Sequence, residues 1–113
     1  MMSLWVGELV IVEEVFVART FWSRFKGLMG RTSLDGKGYL FPHTNSIHTL
    51  FMRTPITVVY LSRQGLVLKV TREMKPWRVG PWVRGAWWTL ELSTGGITPS
   101  VGDRVDGLPE SGA

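Results

Sequence analysis

Thirteen glycines and six prolines interrupt the 113-residue chain, and this punctuation limits the length of any helix or strand. Glycine weakens the interior of both elements and proline removes a backbone N–H group, so both residues concentrate in turns. A chain of this length builds one hydrophobic core. The sequence therefore predicts a single β-rich domain of many short elements over residues 1–106, followed by a flexible tail at 107–113.

Most segments between the turns have the pattern of β-strands. Segments 57–61 and 66–72 flank the tight turn Arg63-Gln64-Gly65 and predict a β-hairpin. Segment 86–92 alternates in polarity, which is typical of a strand with one buried face. Its predicted inward residues are Ala86, Trp88, Leu90 and Leu92, and its predicted outward residues are Trp87, Thr89 and Glu91.

One segment has the pattern of a helix. Thr20 is a good N-cap, and Phe21, Phe25 and Leu28 follow it at helical spacing before Gly30. This pattern predicts a short helix at about 20–29. Short strands with a single helix favour a mainly β fold, either a small barrel or a sandwich.

The formal net charge of +4 is concentrated in one part of the chain. From Arg63 to Arg84 there are six basic residues and a single acidic residue, Glu73. A basic surface raises the local concentration of anionic partners. The alternative is that these residues keep a strand edge soluble and unpaired.

The residue types that are missing exclude several kinds of chemistry. The chain has no cysteine and only two histidines, His43 and His48. Disulfides and thiol catalysis are therefore excluded, and a zinc site would lack ligands, so we expect no metal and no cofactor. No segment reaches the roughly 18 apolar residues of a membrane span. The beginning of the chain lacks the basic region of a secretory signal, which predicts a cytoplasmic location, although a mature exported protein would look the same.

A group of polar residues interrupts the otherwise apolar segment around residues 45–53. His48 is the candidate catalytic residue, as a proton donor or acceptor, and Arg53 is a candidate anion-binding fork. Asn45 and Thr49 are candidate orienting groups for a ligand. Together these residues predict a polar pocket.

The alternative for His48 is a structural role, with its ring nitrogens bonded to backbone groups and Arg53 paired with Glu91 or Asp103. A hydrolase would also need an activated hydroxyl beside the histidine. Thr49 is adjacent to His48, so on a strand it points to the opposite face.

Four of the six tryptophans fall between residues 77 and 88, interleaved with arginines. Tryptophan and arginine are frequent anchors of recognition surfaces, and aromatic rings stack on bases or sugar faces. The alternative is that the rings fill the core while the arginine head groups reach water. The candidate ligand-binding residues of this segment are Trp77, Arg78, Trp82, Arg84 and Trp87.

The order of several short motifs between about residues 14 and 106 resembles the prokaryotic family called domain of unknown function 192. The motifs are Ala18-Arg19-Thr20, Gly27-Leu28-Met29-Gly30-Arg31, Gly38-Tyr39-Leu40-Phe41, the segment 46–56, Leu90-Glu91-Leu92 and Gly102-Asp103. The resemblance implies a compact β-rich fold with a short helix near its start, and it implies no established reaction.

The chain departs from the family pattern at two places. Thr57 stands where many relatives carry an aspartate, so a role that needs this carboxylate is absent here. Ser93-Thr94-Gly95 stands where relatives often have Pro-Ala-Gly.

These features predict a non-catalytic binding module for an anionic or carbohydrate-like ligand, or for a protein partner. The first alternative is a hydrolase-type enzyme that uses His48 and Arg53. The second alternative is a weak nucleic-acid binder, which ranks lower because the basic excess is modest. The sequence leaves both a monomer and a homodimer open.

Overall fold

A computed structural model of the chain describes residues 3–17, 37–43, 55–75 and 82–109. These residues form seven strands, which are β1 (Leu4–Val6), β2 (Leu9–Val12), β3 (Glu14–Val17), β4 (Lys37–Pro42), β5 (Ile56–Leu61), β6 (Val67–Met74) and β7 (Trp88–Ser93). The prediction of a mainly β fold is confirmed. The predicted helix at about 20–29 lies outside the described residues.

The strands form two sheets. β1 and β2 make a two-stranded antiparallel sheet, and the other five strands make a sheet with the order β3-β4-β7-β5-β6. β3 and β4 are parallel, and the remaining neighbours are antiparallel. Within the described residues the larger sheet is open, with β3 and β6 at its edges, which favours the sandwich over the barrel. No helix in this part of the chain has the length and hydropathy of a membrane span.

The predicted hairpin of β5 and β6 is confirmed. Ser62 donates its N–H to the carbonyl of Leu66 at 2.8 Å, and Gly65 donates to the carbonyl of Ser62 at 3.0 Å. Gly65 has a φ of 95°, a conformation that favours glycine. The turn chemistry therefore explains why this hairpin was predictable.

One face of the five-stranded sheet packs against the β1–β2 hairpin and the segment after β7. We call this packing the first core. Its buried residues are Leu4, Ile11, Val12, Val15, Leu40, Val59, Leu61, Val67, Trp88, Leu90, Leu92 and Val105. The predicted inward positions Trp88, Leu90 and Leu92 are confirmed by this burial.

The opposite face of the sheet carries a second core. Its buried residues are Tyr39, Phe41, Ile56, Val58, Tyr60, Met74 and Val83. The half-buried Ala86 packs against this second core and not with Trp88. Because both faces of the sheet are buried, the central strands β5 and β7 contain almost no exposed residue.

Burial of both faces corrects the predicted orientation of three β7-region residues. Thr89 and Glu91 were predicted to point to solvent, and both are 0% exposed. Trp87 was also predicted to point outward, but it is half-buried and packs against the first core. A strand alternates between apolar and polar residues only where one face of its sheet meets water. Both faces of β7 are covered, so this pattern does not apply to it.

Candidate functional site

The structure describes only part of the predicted ligand-binding set. Trp82, Arg84 and Trp87 lie within the described residues. Six predicted site residues lie outside them, and their roles remain predictions: Asn45, His48, Thr49, Arg53, Trp77 and Arg78. The candidate hydrolase function depends on two of these six residues, His48 and Arg53. The site below is therefore built from the described residues Trp82, Arg84 and Trp87 and from their neighbours.

Trp82 is the most exposed large apolar side chain among the described residues, with 76% of its surface accessible. The neighbouring Val83 is buried in the second core. Ala86 donates its N–H to the Val83 carbonyl at 3.2 Å, across a turn in which Gly85 has a φ of 86°. Val83 therefore anchors this loop to the sheet, while its chain neighbours Trp82 and Arg84 are exposed.

The loop lies beside the edge strand β6. A side chain at Gly85 would meet the Leu68 methyl group at 3.7 Å, which places the turn against β6. The exposed Lys69 and Arg72 lie on that strand, and exposed Arg84 lies on the loop. These three cations form no ion pair within the described residues. We call Trp82, Lys69, Arg72 and Arg84 the Trp82 surface.

Trp87 belongs to a different cluster, which explains its partial burial. Its ring centroid lies 4.1 Å from that of His43 and 4.6 Å from that of Trp88. The Arg63 guanidinium carbon lies 5.4 Å from the ring centroid, within cation–π distance. Trp87 also donates its backbone N–H to the Leu61 carbonyl at 2.8 Å. Within the described residues Trp87 therefore has packing and hydrogen-bonding roles, whereas Trp82 is largely exposed.

Trp88 shows that the core-filling alternative holds for part of the tryptophan-rich segment. It is fully buried in the first core. Its indole Nε1–H donates to the Arg63 carbonyl at 3.3 Å, which satisfies the one polar group that it buries. The three tryptophans of this segment that the structure describes are thus a core residue, Trp88, a half-buried residue, Trp87, and an exposed residue, Trp82.

The feature that the sequence analysis missed is the environment of Glu91. This residue lies on the second face of the sheet, opposite Tyr39 of β4 and Val58 of β5. Neither carboxyl oxygen has a hydrogen-bond partner within the described part of the chain. Burial raises the pKa of the Glu91 carboxyl well above its usual value.

Tyr60 shares this face with Glu91. It is paired with Thr89, so it is a diagonal neighbour of Glu91 across β5 and β7. Its hydroxyl is buried without a hydrogen bond of good geometry in the described residues. Burial, with the Glu91 carboxylate as a second cause, raises the pKa of Tyr60 to about 12, although the Thr71 side chain partly offsets the rise.

A signal for this burial was present in the sequence. β5 reads Ile-Thr-Val-Val-Tyr-Leu, a nearly continuous apolar run that is typical of a strand buried on both faces. A strand paired beside it shares those covered faces. That pairing was not apparent, because β5 and β7 are far apart in the sequence.

Glu91 and Asp103 were the two alternative ion-pair partners predicted for Arg53, which lies outside the described residues. Glu91 has no ion-pair partner within the described residues, and Asp103 accepts the Ser100 backbone N–H at 2.8 Å, as a turn cap. In the described ranges no group of three or more His, Cys, Asp or Glu residues is arranged to hold a metal ion.

Comparison with solved structures shows a shared fold. A protein of unknown function from Novosphingobium aromaticivorans superposes with a TM-score of 0.73 at 23% identity, covering 93% of this chain and 82% of that one. A candidate transcription regulator from Sinorhizobium meliloti superposes with a TM-score of 0.67 at 21% identity, covering 82% and 80% of the two chains.

Comparison with protein sequences shows the family. A UPF0127 protein of Thermococcus sibiricus is 30% identical over 112 residues, which cover 92% of this chain and 68% of that protein. A UPF0127 protein of Pyrococcus furiosus is 34% identical over 100 residues, which cover 82% and 85%. The model of domain of unknown function 192, described as an uncharacterized ACR, matches residues 6–107. The resemblance in the motifs is thus confirmed, and the chain belongs to the domain of unknown function 192 family.

Proposed function

We propose that this protein is a non-catalytic binding module and that the Trp82 surface binds an anionic, carbohydrate-like ligand. The observation that carries the proposal is the 76% exposure of Trp82 on an anchored loop. A large aromatic ring left in water contributes little to folding, whereas it supplies a broad apolar contact to a ligand at low entropic cost.

The anchoring of the loop supports a role in recognition. Val83 is held in the second core and Ala86 donates its N–H to the Val83 carbonyl, so the loop is fixed to the sheet at the residue next to Trp82. A preorganised platform loses less entropy on binding than a mobile one.

The charges on the loop and on the neighbouring strand β6 indicate the class of ligand. Lys69, Arg72 and Arg84 are exposed cations without ion-pair partners in the described residues. Cations beside an aromatic platform suit a molecule with flat, weakly polar faces and negative substituents. A sulfated or carboxylated sugar chain has both features, since its rings stack and its anionic groups pair with arginine and lysine.

Titration with heparin, followed by tryptophan fluorescence and calorimetry, tests the proposal. We expect binding that weakens as salt rises. Trp82→Ala should lower the affinity by about tenfold, the effect of losing one stacked ring. Val101→Ala is the control, because Val101 is also a largely exposed apolar residue but lies outside the Trp82 surface.

Three outcomes would contradict the proposal. They are an absence of heparin binding, equal affinities for the wild type and the Trp82→Ala variant, and tighter binding of a single-stranded oligonucleotide than of heparin. The last result would instead favour the nucleic-acid function. Neutral dextran of similar length separates ring stacking from charge, since it offers sugar faces without anionic groups.

A further inference from the structure

Aromatic side chains surround the Glu91 carboxyl on the second face of the sheet. Tyr39 lies directly across from Glu91 on β4, and Phe41 lies two pairs further along the same strand, on the same face. Tyr60 is the diagonal neighbour on β5. All four residues are at least 95% buried. The register therefore places one carboxyl group among three aromatic rings.

The polar atoms of this group are not satisfied. Both Glu91 oxygens are buried without hydrogen-bond partners within the described residues, and the buried Tyr60 hydroxyl makes no hydrogen bond of good geometry there, although the Thr71 side chain lies near it. Folded proteins pair the large majority of buried polar atoms, so each exception calls for a cause such as a bound molecule. Here three such atoms occur on two neighbouring side chains, which indicates a common cause.

The chemistry of the group selects a positively charged ligand. An ionised carboxylate accepts hydrogen bonds and carries negative charge, and the faces of aromatic rings attract cations. An anion would be repelled by both. The other titratable residues that the register of the described strands places on this face are the half-buried Glu14, Lys37 and the exposed Lys69, and Glu91 accepts no hydrogen bond within the described residues.

We propose that Glu91 and the aromatic side chains around it form a buried site for a small organic cation. An ammonium or guanidinium group lies against the carboxylate and the ring faces, and the Tyr60 hydroxyl provides a further polar contact. Because Glu91 and Tyr60 are fully enclosed, entry requires a local opening of the structure, so association is slow. This site is separate from the Trp82 surface and does not depend on it.

Cation binding at this site is coupled to the release of a proton from Glu91, which distinguishes it from binding at a site without an ionisable group. Burial raises the pKa of the Glu91 carboxyl and so favours its protonated form in the empty site, whereas the group must ionise to hold a cation. One proton therefore leaves Glu91 for each cation that binds. The affinity should rise by about tenfold for each pH unit until the carboxyl group of the free protein is itself ionised.

Calorimetry with propylammonium, propylguanidinium and tetramethylammonium, between about pH 5 and pH 8, tests the proposal. We expect at least one of these cations to bind, with proton release to the buffer. Glu91→Gln should lower the affinity by about tenfold or more, since it removes a charged hydrogen-bond acceptor. Tyr39→Leu should lower it by a few-fold. Glu73→Gln is the matched control, because Glu73 is an exposed carboxylate.

Four results would overturn the proposal. The first is that none of the three cations binds, and the second is that the affinity does not change with pH. The third is that Glu91→Gln binds as tightly as the wild type, and the fourth is that acetate binds in place of the cations. Circular dichroism and thermal unfolding establish that each variant is folded. Glu91→Gln keeps the shape of the side chain and removes the ionisable group, so we expect it to fold.

Discussion

The carboxyl group of Glu91 makes the stability of the protein depend on pH. Its pKa in the folded protein is raised above the unfolded value of 4.5 by burial. The group therefore contributes its full stability below about pH 4.5, where it is protonated in both states. As the pH rises from there toward the folded pKa, the free energy of unfolding should fall by about 1.4 kcal/mol per pH unit from this group.

Glu91→Gln isolates this contribution, because glutamine has the same shape and does not titrate. We expect the free energies of unfolding of the two proteins to differ by a constant amount below about pH 4.5. Above that value the variant should become progressively more stable than the wild type. Urea unfolding across the pH range measures the difference. A difference that does not change with pH would show that Glu91 titrates normally.

At this scale the sequence predicted burial better than exposure. The predicted inward residues Trp88, Leu90 and Leu92 are buried, whereas the sequence left open whether Trp82 is exposed. Trp87 and Glu91 were misplaced because alternation was interpreted as one wet face and one dry face. Which faces are dry depends on the packing of the whole sheet, and a single strand does not contain that information.

The turn between β5 and β6 has a strict backbone requirement at Gly65. Gly65 has a φ of 95°, and a Cβ atom there would lie 2.5 Å from the Val105 carbonyl oxygen. We expect Gly65→Ala to destabilise the protein by about 2–3 kcal/mol, through backbone strain and the displacement of that carbonyl. Chemical unfolding measures the change.

Gly102→Ala is the control for this substitution. Gly102 has the same φ of 95°, but no atom lies within 4 Å of the added carbon. We expect it to cost about 1 kcal/mol, which is the strain alone. Equal losses in the two variants would mean that the contact with Val105 has no effect.

The elements were predictable in proportion to how locally they are determined. The β5–β6 hairpin is specified by its turn residues and its alternation, and it was predicted. The parallel pairing of β3 with β4 and the central position of β7 were not, since each joins strands that are distant in sequence. Contacts of this kind depend on the complete set of packing surfaces, and no local pattern specifies them.

Across the whole molecule, the segment after β7 joins the two sheets. Trp5 and Asp106 exchange two backbone hydrogen bonds, of 3.0 and 2.8 Å. Val105, the residue before Asp106, is 2% exposed in the first core. It donates its N–H to the Gly65 carbonyl at 2.8 Å, which ties it to the larger sheet. The β1–β2 hairpin is therefore tied to the rest of the fold through backbone as well as side chains, and the two sheets should unfold together.

Amide hydrogen exchange of Val105→Ala tests this coupling. The substitution removes two buried methyl groups and should cost about 2 kcal/mol. If the sheets form one cooperative unit, the amides of Trp5, Asp106 and the centre of β5 should all exchange about 30-fold faster in the variant. Val101→Ala is the control, since Val101 is 64% exposed, and its effect should stay within about 0.5 kcal/mol. Acceleration confined to Trp5 and Asp106 would instead show that the smaller sheet opens on its own.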